Sequence, residues 1–285
     1  MTTLPFQQVD VFTAVPFKGN PVAVVLEGDG LSSAEMQAIA GWTNLSETTF
    51  VCTPAAARAD YRLRIFTPKS ELPFAGHPTI GSAHAVLRHG LRPKTPGRLV
   101  QECGKGLIDI AIEGDRLLLA LPRPALREPG TGELARAAEA LGLAAGGIQR
   151  GAIVDVGPVW LTVQVATSDI VLALKPDMQK LAALTSGGLT GVTVFGSRAP
   201  GAEADFEVRS FAPAEGVPED PVCGSGNGCV AALVRRDGLV TGDAYLARQG
   251  RCLDRDGRIT VRFAEDGTIW VGGHAVTCVS GTLTV

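Results

Sequence analysis

The feature that most narrows the folds open to this chain is that it repeats itself. Residues 64–73 lie over residues 209–218, with Arg64/Arg209, Phe66/Phe211, Pro68/Pro213 and Pro73/Pro218 coinciding. After a three-residue gap, residues 75–91 lie over 223–239 and match at Gly76/Gly224, Ala83/Ala231, Val86/Val234, Arg88/Arg236, Gly90/Gly238 and Leu91/Leu239. A Val-Asp-Val opening also recurs, at Val9, Asp10 and Val11 and at Val154, Asp155 and Val156, each time near a turn containing Gly and Pro. The period is too long, and the copies too few, for a solenoid, whose repeats run to about 20–45 residues. The repeat implies two similar lobes packed about a pseudo-twofold axis.

Local signals within the copies agree. Residues 22–26 form an apolar, valine-rich run that reads as a buried strand. Ser32 followed by Glu35 has the spacing of a capping box, and Met36, Ile39 and Ala40 supply an apolar helix face. Residues 48–52 and 62–66 read as strands, and 79–87 as a helix that Gly90 ends. In the second copy, 159–165 and 206–211 read as strands, 178–184 and 226–234 as helices, and 260–263, 269–271 and 275–279 as closing strands. With 35 Gly and 18 Pro, many short elements joined by turns are expected. The expected class is therefore α+β, with two pseudo-symmetric lobes, each a curved, mostly antiparallel sheet wrapped around a central helix. The N-terminal lobe is assigned to 1–125, joined by a C-terminal strand at 275–285, and the second lobe to 126–285. The active-site cleft is expected between them, and the boundary falls within the Pro- and Gly-marked stretch 121–151.

A chain of 285 residues can bury a full core without a metal or disulfide staple. The net charge of −3 and pI of about 5.9 argue against a nucleic-acid binder, which carries a basic excess. Apolar runs such as 22–26 and 117–121 fall far short of the roughly 20 residues of a membrane span. The opening residues 1–10 lack a basic stretch followed by an apolar one, so no secretory signal is expected. Six cysteines are too sparse for a disulfide scaffold and fit a reducing, cytoplasmic setting. Cys223 and Cys229 have no neighbouring His to complete a ligand set, so no metal site is expected.

In each copy a Pro-containing turn leads into a Gly-rich helix start, at Gly76 and at Gly224. A helix start offers unpaired N–H groups and the positive end of the helix dipole, which suits a carboxylate or phosphate. Two such starts brought face to face would grip a small anion. His77 titrates near neutrality when unperturbed, or else caps or packs under its loop. Asp220 lies just before Pro221, as an acid/base group or as a plain turn residue. Cys223 stands at a helix start, where a thiol pKa tends to fall; the alternative is a small buried residue. The run from Gly224 to Gly228 is not a dinucleotide fingerprint, because Cys229 takes the third glycine's place, and it lacks the lysine of a P-loop.

Over nearly its whole length the chain resembles the PhzF-like family of isomerases of phenazine biosynthesis, a branch of the diaminopimelate epimerase-like fold. The resemblance is carried by residues 9–13, 19–24, 44–50, 71–79, 219–225, 249–250 and 271–276. It implies two lobes with the active site between them, and a homodimer. It also implies that Glu47 is a general acid/base moving a proton between carbons of a small carboxylated ring, assisted by His77 and Asp220. Ser46, Gly76, Gly224 and Ser225 would then hold the substrate carboxylate. No cofactor is implied.

One departure stands out: the family usually carries threonine where Cys223 stands. Related two-thiol epimerases have cysteine at both helix starts, whereas the counterpart of Cys223 here is Ala75. Cys223 is either an acid/base partner of Glu47 or an idle substitute for threonine. The leading expectation is a cofactor-independent isomerase. Its alternatives are a cysteine-assisted epimerase, racemase or dehydratase of an amino or hydroxy acid, and a catalytically silent metabolite-binding protein.

Overall fold

The computed structural model of the chain describes residues 2–285 and separates into two units, Met1–Ala120 with Gly272–Val285, and Leu121–Val271. Unit 1 contains β1 (Thr3–Val11), β2 (Asn20–Val25), α1 (Ser33–Thr43), β3 (Thr48–Cys52), β4 (Tyr61–Phe66) and β5 (Glu71–Leu72). It continues with α2 (Gly76–Arg88), β6 (Arg98–Cys103), β7 (Gly106–Glu113) and β8 (Arg116–Ala120). Unit 2 contains β9 (Ala125–Arg127), α3 (Glu133–Ala140), β10 (Arg150–Asp155), β11 (Val159–Thr167), α4 (Ser168–Ala173), α5 (Met178–Thr185) and β12 (Gly191–Ser197). Then follow β13 (Phe206–Ala212), β14 (Val217–Asp220), α6 (Gly224–Arg236), β15 (Ala244–Gln249) and β16 (Gly257–Phe263). The last strand, β17 (Ile269–Thr284), begins in unit 2 and ends in unit 1.

The α+β class is as expected. In unit 1, β1 pairs antiparallel with β17 and β2, β2 runs parallel to β3, β3 pairs antiparallel with β4, and β4 runs parallel to β6. Antiparallel β6, β7 and β8 follow, and β8 returns to β17, which closes the strands into a ring. Unit 2 repeats the pattern, with β11 parallel to β12 and β13 parallel to β15, and with antiparallel pairs β10–β11, β12–β13 and β15–β16.

Helix α2 is buried along almost its whole length, from His77 to Val86, and packs on β1, β2, β3, β4 and β8. Small residues make that possible: a Cβ on Gly81 would stand 2.4 Å from Val22 Cγ1. In unit 2, α6 is buried from Gly226 to Val234 and packs on β10, β11, β12 and β16. A second core, including Leu141, Leu161, Leu181, Val192 and Phe211, lies on the other face of that sheet under α3, α4 and α5.

Several sequence expectations are corrected. The helix expected over 79–87 starts three residues earlier. Pro78 lies in the first turn, where a missing N–H costs no helix hydrogen bond. The two closing strands expected at 269–271 and 275–279 are one continuous strand. Gly272 does not break it but lets it approach its neighbour, since a Cβ there would clash with the Leu117 carbonyl oxygen. The repeat's gap is also misplaced. Arg64 pairs with Glu71 and Arg209 with Glu219, so Glu71 corresponds to Glu219 and Pro73 to Pro221, not to Pro218. The extra residues fall earlier, in a 3₁₀ turn at Pro213–Glu215.

Candidate active site

The unit 1 half of the site is built at the start of α2. The preceding Ala75 is extended (φ −151°, ψ 145°) and offers no capping side chain, so no side chain satisfies the first-turn amides at Gly76 and His77. His77 points into the unit. Its Nε2 lies 3.2 Å from Glu47 Oε2 and its Nδ1 3.4 Å from Asn20 Nδ2.

Each partner is placed by local chemistry. α1 opens with the expected capping box, in which the Glu35 N–H bonds to Ser32 Oγ and Glu35 Oε2 accepts from the Ser32 N–H. It ends on Asn44 in the left-handed region at φ 53°. Ser46 is half-buried in the turn that follows, and Glu47 then leads into β3, its carbonyl accepting from the Ala23 N–H. Asn20 is fully buried where β2 begins. The Gly19 N–H beside it donates to Asp10 Oδ2 at 3.0 Å, so the shared Val-Asp-Val opening holds that turn.

Burial pulls the His77 pKa down to about 3, against a smaller opposing effect of the Pro21 carbonyl. The imidazole is therefore neutral near pH 7. A ring N–H bonds to the Pro21 carbonyl, Nδ1 faces the Asn20 amide, and Nε2 lies beside the Glu47 carboxyl group. A neutral imidazole thus lies against a Glu47 side chain that is itself only 15% exposed.

The unit 2 half is built at the start of α6. Cys223 is the N-cap, and the Gly226 N–H donates to its Sγ at 3.2 Å. Gln249 threads the loop together: its Oε1 accepts from the Cys223 N–H and from Asn227 Nδ2, and its Nε2 donates to the Asp220 carbonyl. Asp220 Oδ1 accepts from the Val222 N–H at 3.0 Å, and the Cys223 thiol hydrogen-bonds the same carboxylate. Ser225 Oγ accepts from the indole Nε1–H of Trp160 at 3.1 Å and lies 3.6 Å from Cys223 Sγ.

The electrostatics differ from the sequence expectation at Cys223. A helix start lowers a thiol pKa, but burial, aided by the Asp220 carboxylate, pushes this one well above its ordinary value. Cys223 is a protonated thiol near neutrality. Burial also raises the Asp220 carboxyl, to about 6, within reach of physiological pH.

Two constellations thus result: Glu47 with His77 and the Gly76 start in unit 1, and Asp220, Cys223, Gly224 and Ser225 in unit 2. Three contributors carried no assigned role in the sequence. Asn20 and Gln249 lie in motifs already singled out, but only the fold reveals what they hold. Trp160 gave no signal, since an aromatic in a buried strand reads as core. Among the described residues, no cluster of His, Cys, Asp and Glu has the makings of a metal site. No helix among them is long and apolar enough to cross a membrane.

The family described as "Phenazine biosynthesis-like protein" matches residues 9–281. The chain is 40% identical over 295 residues to Antisense-enhancing sequence 1 of Schizosaccharomyces pombe, covering 99% of each chain. It is 34% identical to the trans-2,3-dihydro-3-hydroxyanthranilate isomerase of Pseudomonas fluorescens, over 96% of this chain and 97% of that one. Among solved structures, a PhzF-family phenazine biosynthesis protein of Bacillus anthracis superposes with a TM-score of 0.87 at 25% identity, covering all of both chains.

Proposed function

Because this chain belongs to the phenazine biosynthesis-like family and is an isomerase, we propose that it moves a proton between carbons of a small carboxylated metabolite, with Glu47 as the general acid/base. The observation that carries this reading is the Glu47–His77 pair at 3.2 Å, in a pocket that keeps the imidazole neutral. A single carboxylate can take a proton from one carbon and return it to another on the same face of a flat substrate. His77 supports that task by packing a neutral ring against the carboxylate without competing for the proton, since burial disfavours the imidazolium. Transfer of this kind by a placed side chain contributes about 10²–10⁴-fold in rate.

The helix starts supply the grip. The uncapped Gly76 and His77 amides in unit 1, and those of Gly224 and Ser225 in unit 2, suit a carboxylate at the positive end of a helix. Asp220, poised near pH 6, is a second proton-exchanging group. Cys223 serves as N-cap, the task a threonine hydroxyl performs in the same place. A two-thiol epimerase mechanism is disfavoured by Ala75 at the matching position, which leaves Cys223 without a second thiol.

The relatives' named substrate, trans-2,3-dihydro-3-hydroxyanthranilate, is the first probe. In deuterated water the wild type should place solvent deuterium on a ring carbon of the product, and Glu47→Gln should lose about 10²–10⁴-fold of that turnover. Near-wild-type turnover by Glu47→Gln removes Glu47 from the mechanism.

A further inference from the structure

The two units share one construction with a single exchange beside the helix start. In unit 1, Thr48 pairs with Phe66 and with Ala23; in unit 2, Val192 pairs with Phe211 and with Leu161. Glu47 therefore corresponds to Gly191, and Val22 to Trp160. Gly191 has no room for a side chain: a Cβ would stand 2.6 Å from Trp160 Cζ3 and against the Phe211 carbonyl oxygen. Side-chain volume has moved from the position before the strand to the neighbouring strand. The indole reaches the first turn of α6 and meets Ser225, the counterpart of His77. Where unit 1 has Glu47 against His77, unit 2 has Trp160 against Ser225.

An indole N–H is a donor only. Ser225 Oγ accepts from it, so the hydroxyl proton points elsewhere. In the protein alone that proton is shared with Cys223 Sγ at 3.6 Å, a weak sulfur acceptor that a ligand carboxylate would displace. Trp160 is 3% exposed and cannot swing out, whereas Ser225 is half-buried and reachable. We propose that Trp160 is a positioning residue that fixes Ser225 as a hydrogen-bond donor to the carboxylate of the substrate. This rests on the reading that the α6 start binds that carboxylate, but not on Glu47 chemistry.

The test is a binding comparison on the intact protein. The probes are 3-hydroxyanthranilate, the aromatic counterpart of the relatives' substrate, and 2-aminophenol, the same ring without the carboxylate. The wild type should prefer the carboxylated probe. Trp160→Phe keeps the ring but removes the N–H, and should cut that preference by about tenfold, as expected for a hydrogen bond to a charged group. Ser225→Ala should cut it equally, and the double variant no further than Ser225→Ala alone. A packing role would weaken both probes alike. Without any ligand, the indole N–H resonance that Trp160→Phe removes should shift and exchange faster in Ser225→Ala. An unmoved resonance, an unchanged preference in Trp160→Phe, losses that multiply in the double variant, or no carboxylate preference in the wild type would each overturn the proposal. Trp160→Phe is read in probe binding without turnover and Glu47→Gln in turnover, so the two readings fail separately.

Discussion

Ahead of each buried helix the two units carry the same arginine–glutamate clasp, and they bury it to different depths. Arg64 bonds both carboxylate oxygens of Glu71 and lies over the Phe66 ring; Arg209 does the same with Glu219 and Phe211. The side chains of the first pair are 22% and 43% exposed, those of the second 7% and 9%. The difference lies in what meets each guanidinium: Arg64 Nη2 donates to Ser33 Oγ at the exposed start of α1, whereas Arg209 lies under the end of α4. Arg209 Nη1 donates to the carbonyls of Val171 and Leu174 at that helix's end. The matching flank in unit 1 is an open cavity of about 490 Å³, lined by Arg62, Arg64, Glu71 and Glu102 among others. Equal residue patterns therefore do not mean equal energies; what covers a charge decides what its removal costs.

The largest effect that separates the two clasps is in stability. Arg209→Met should cost about 3–5 kcal/mol because it leaves Glu219 buried without its cation. Arg64→Met should cost about 1 kcal/mol or less, since Glu71 keeps its water. Denaturant midpoints for the two variants check this, and equal losses would break the comparison.

The helix starts should also respond to acid with opposite signs. Asp220 has its folded pKa raised, to about 6 from an ordinary value near 3.8. Its contribution to stability is therefore fully present below that ordinary value and lost as pH rises through 6. At pH 7.5, Asp220→Asn should be more stable than the wild type by up to about 3 kcal/mol, with the gap closing by pH 4. His77 has its folded pKa lowered, so its contribution is present above about 6.5 and lost as pH falls toward 3. Between pH 6.5 and 5 the wild type should lose up to about 2 kcal/mol that His77→Gln keeps, part of it offset by the Glu47 carboxylate beside the ring. Unfolding curves across pH read both, and slopes of the same sign would contradict the assignment.

The smallest effect concerns the cap. Cys223→Thr should stay within about 1 kcal/mol of the wild type, because a threonine hydroxyl accepts the Gly226 N–H in the same way, whereas Cys223→Ala should lose about 1 kcal/mol. Turnover in Cys223→Thr should fall by no more than a few-fold; a collapse there, with stability intact, would restore the thiol to the chemistry.

Much of this was legible because it is written locally. The capping box at Ser32 and Glu35, the Gly-rich start at Gly224 and the Val-Asp-Val turns involve residues a few positions apart, where spacing alone dictates which donor meets which acceptor. The strands over 98–127 were not read from the sequence, and the closing strand was read as two pieces because the role of Gly272 depends on a carbonyl from a distant strand.

Local pattern and the internal repeat were thus enough to reach the α+β class, the duplication and the candidates His77, Asp220 and Cys223, whereas Glu47 came only through the family resemblance. Only the folded chain decided their protonation and their company, because burial outweighs the helix dipole once water is gone. That is why Cys223 holds its proton, His77 stays neutral, and Trp160 fills the space that an absent side chain at Gly191 leaves open.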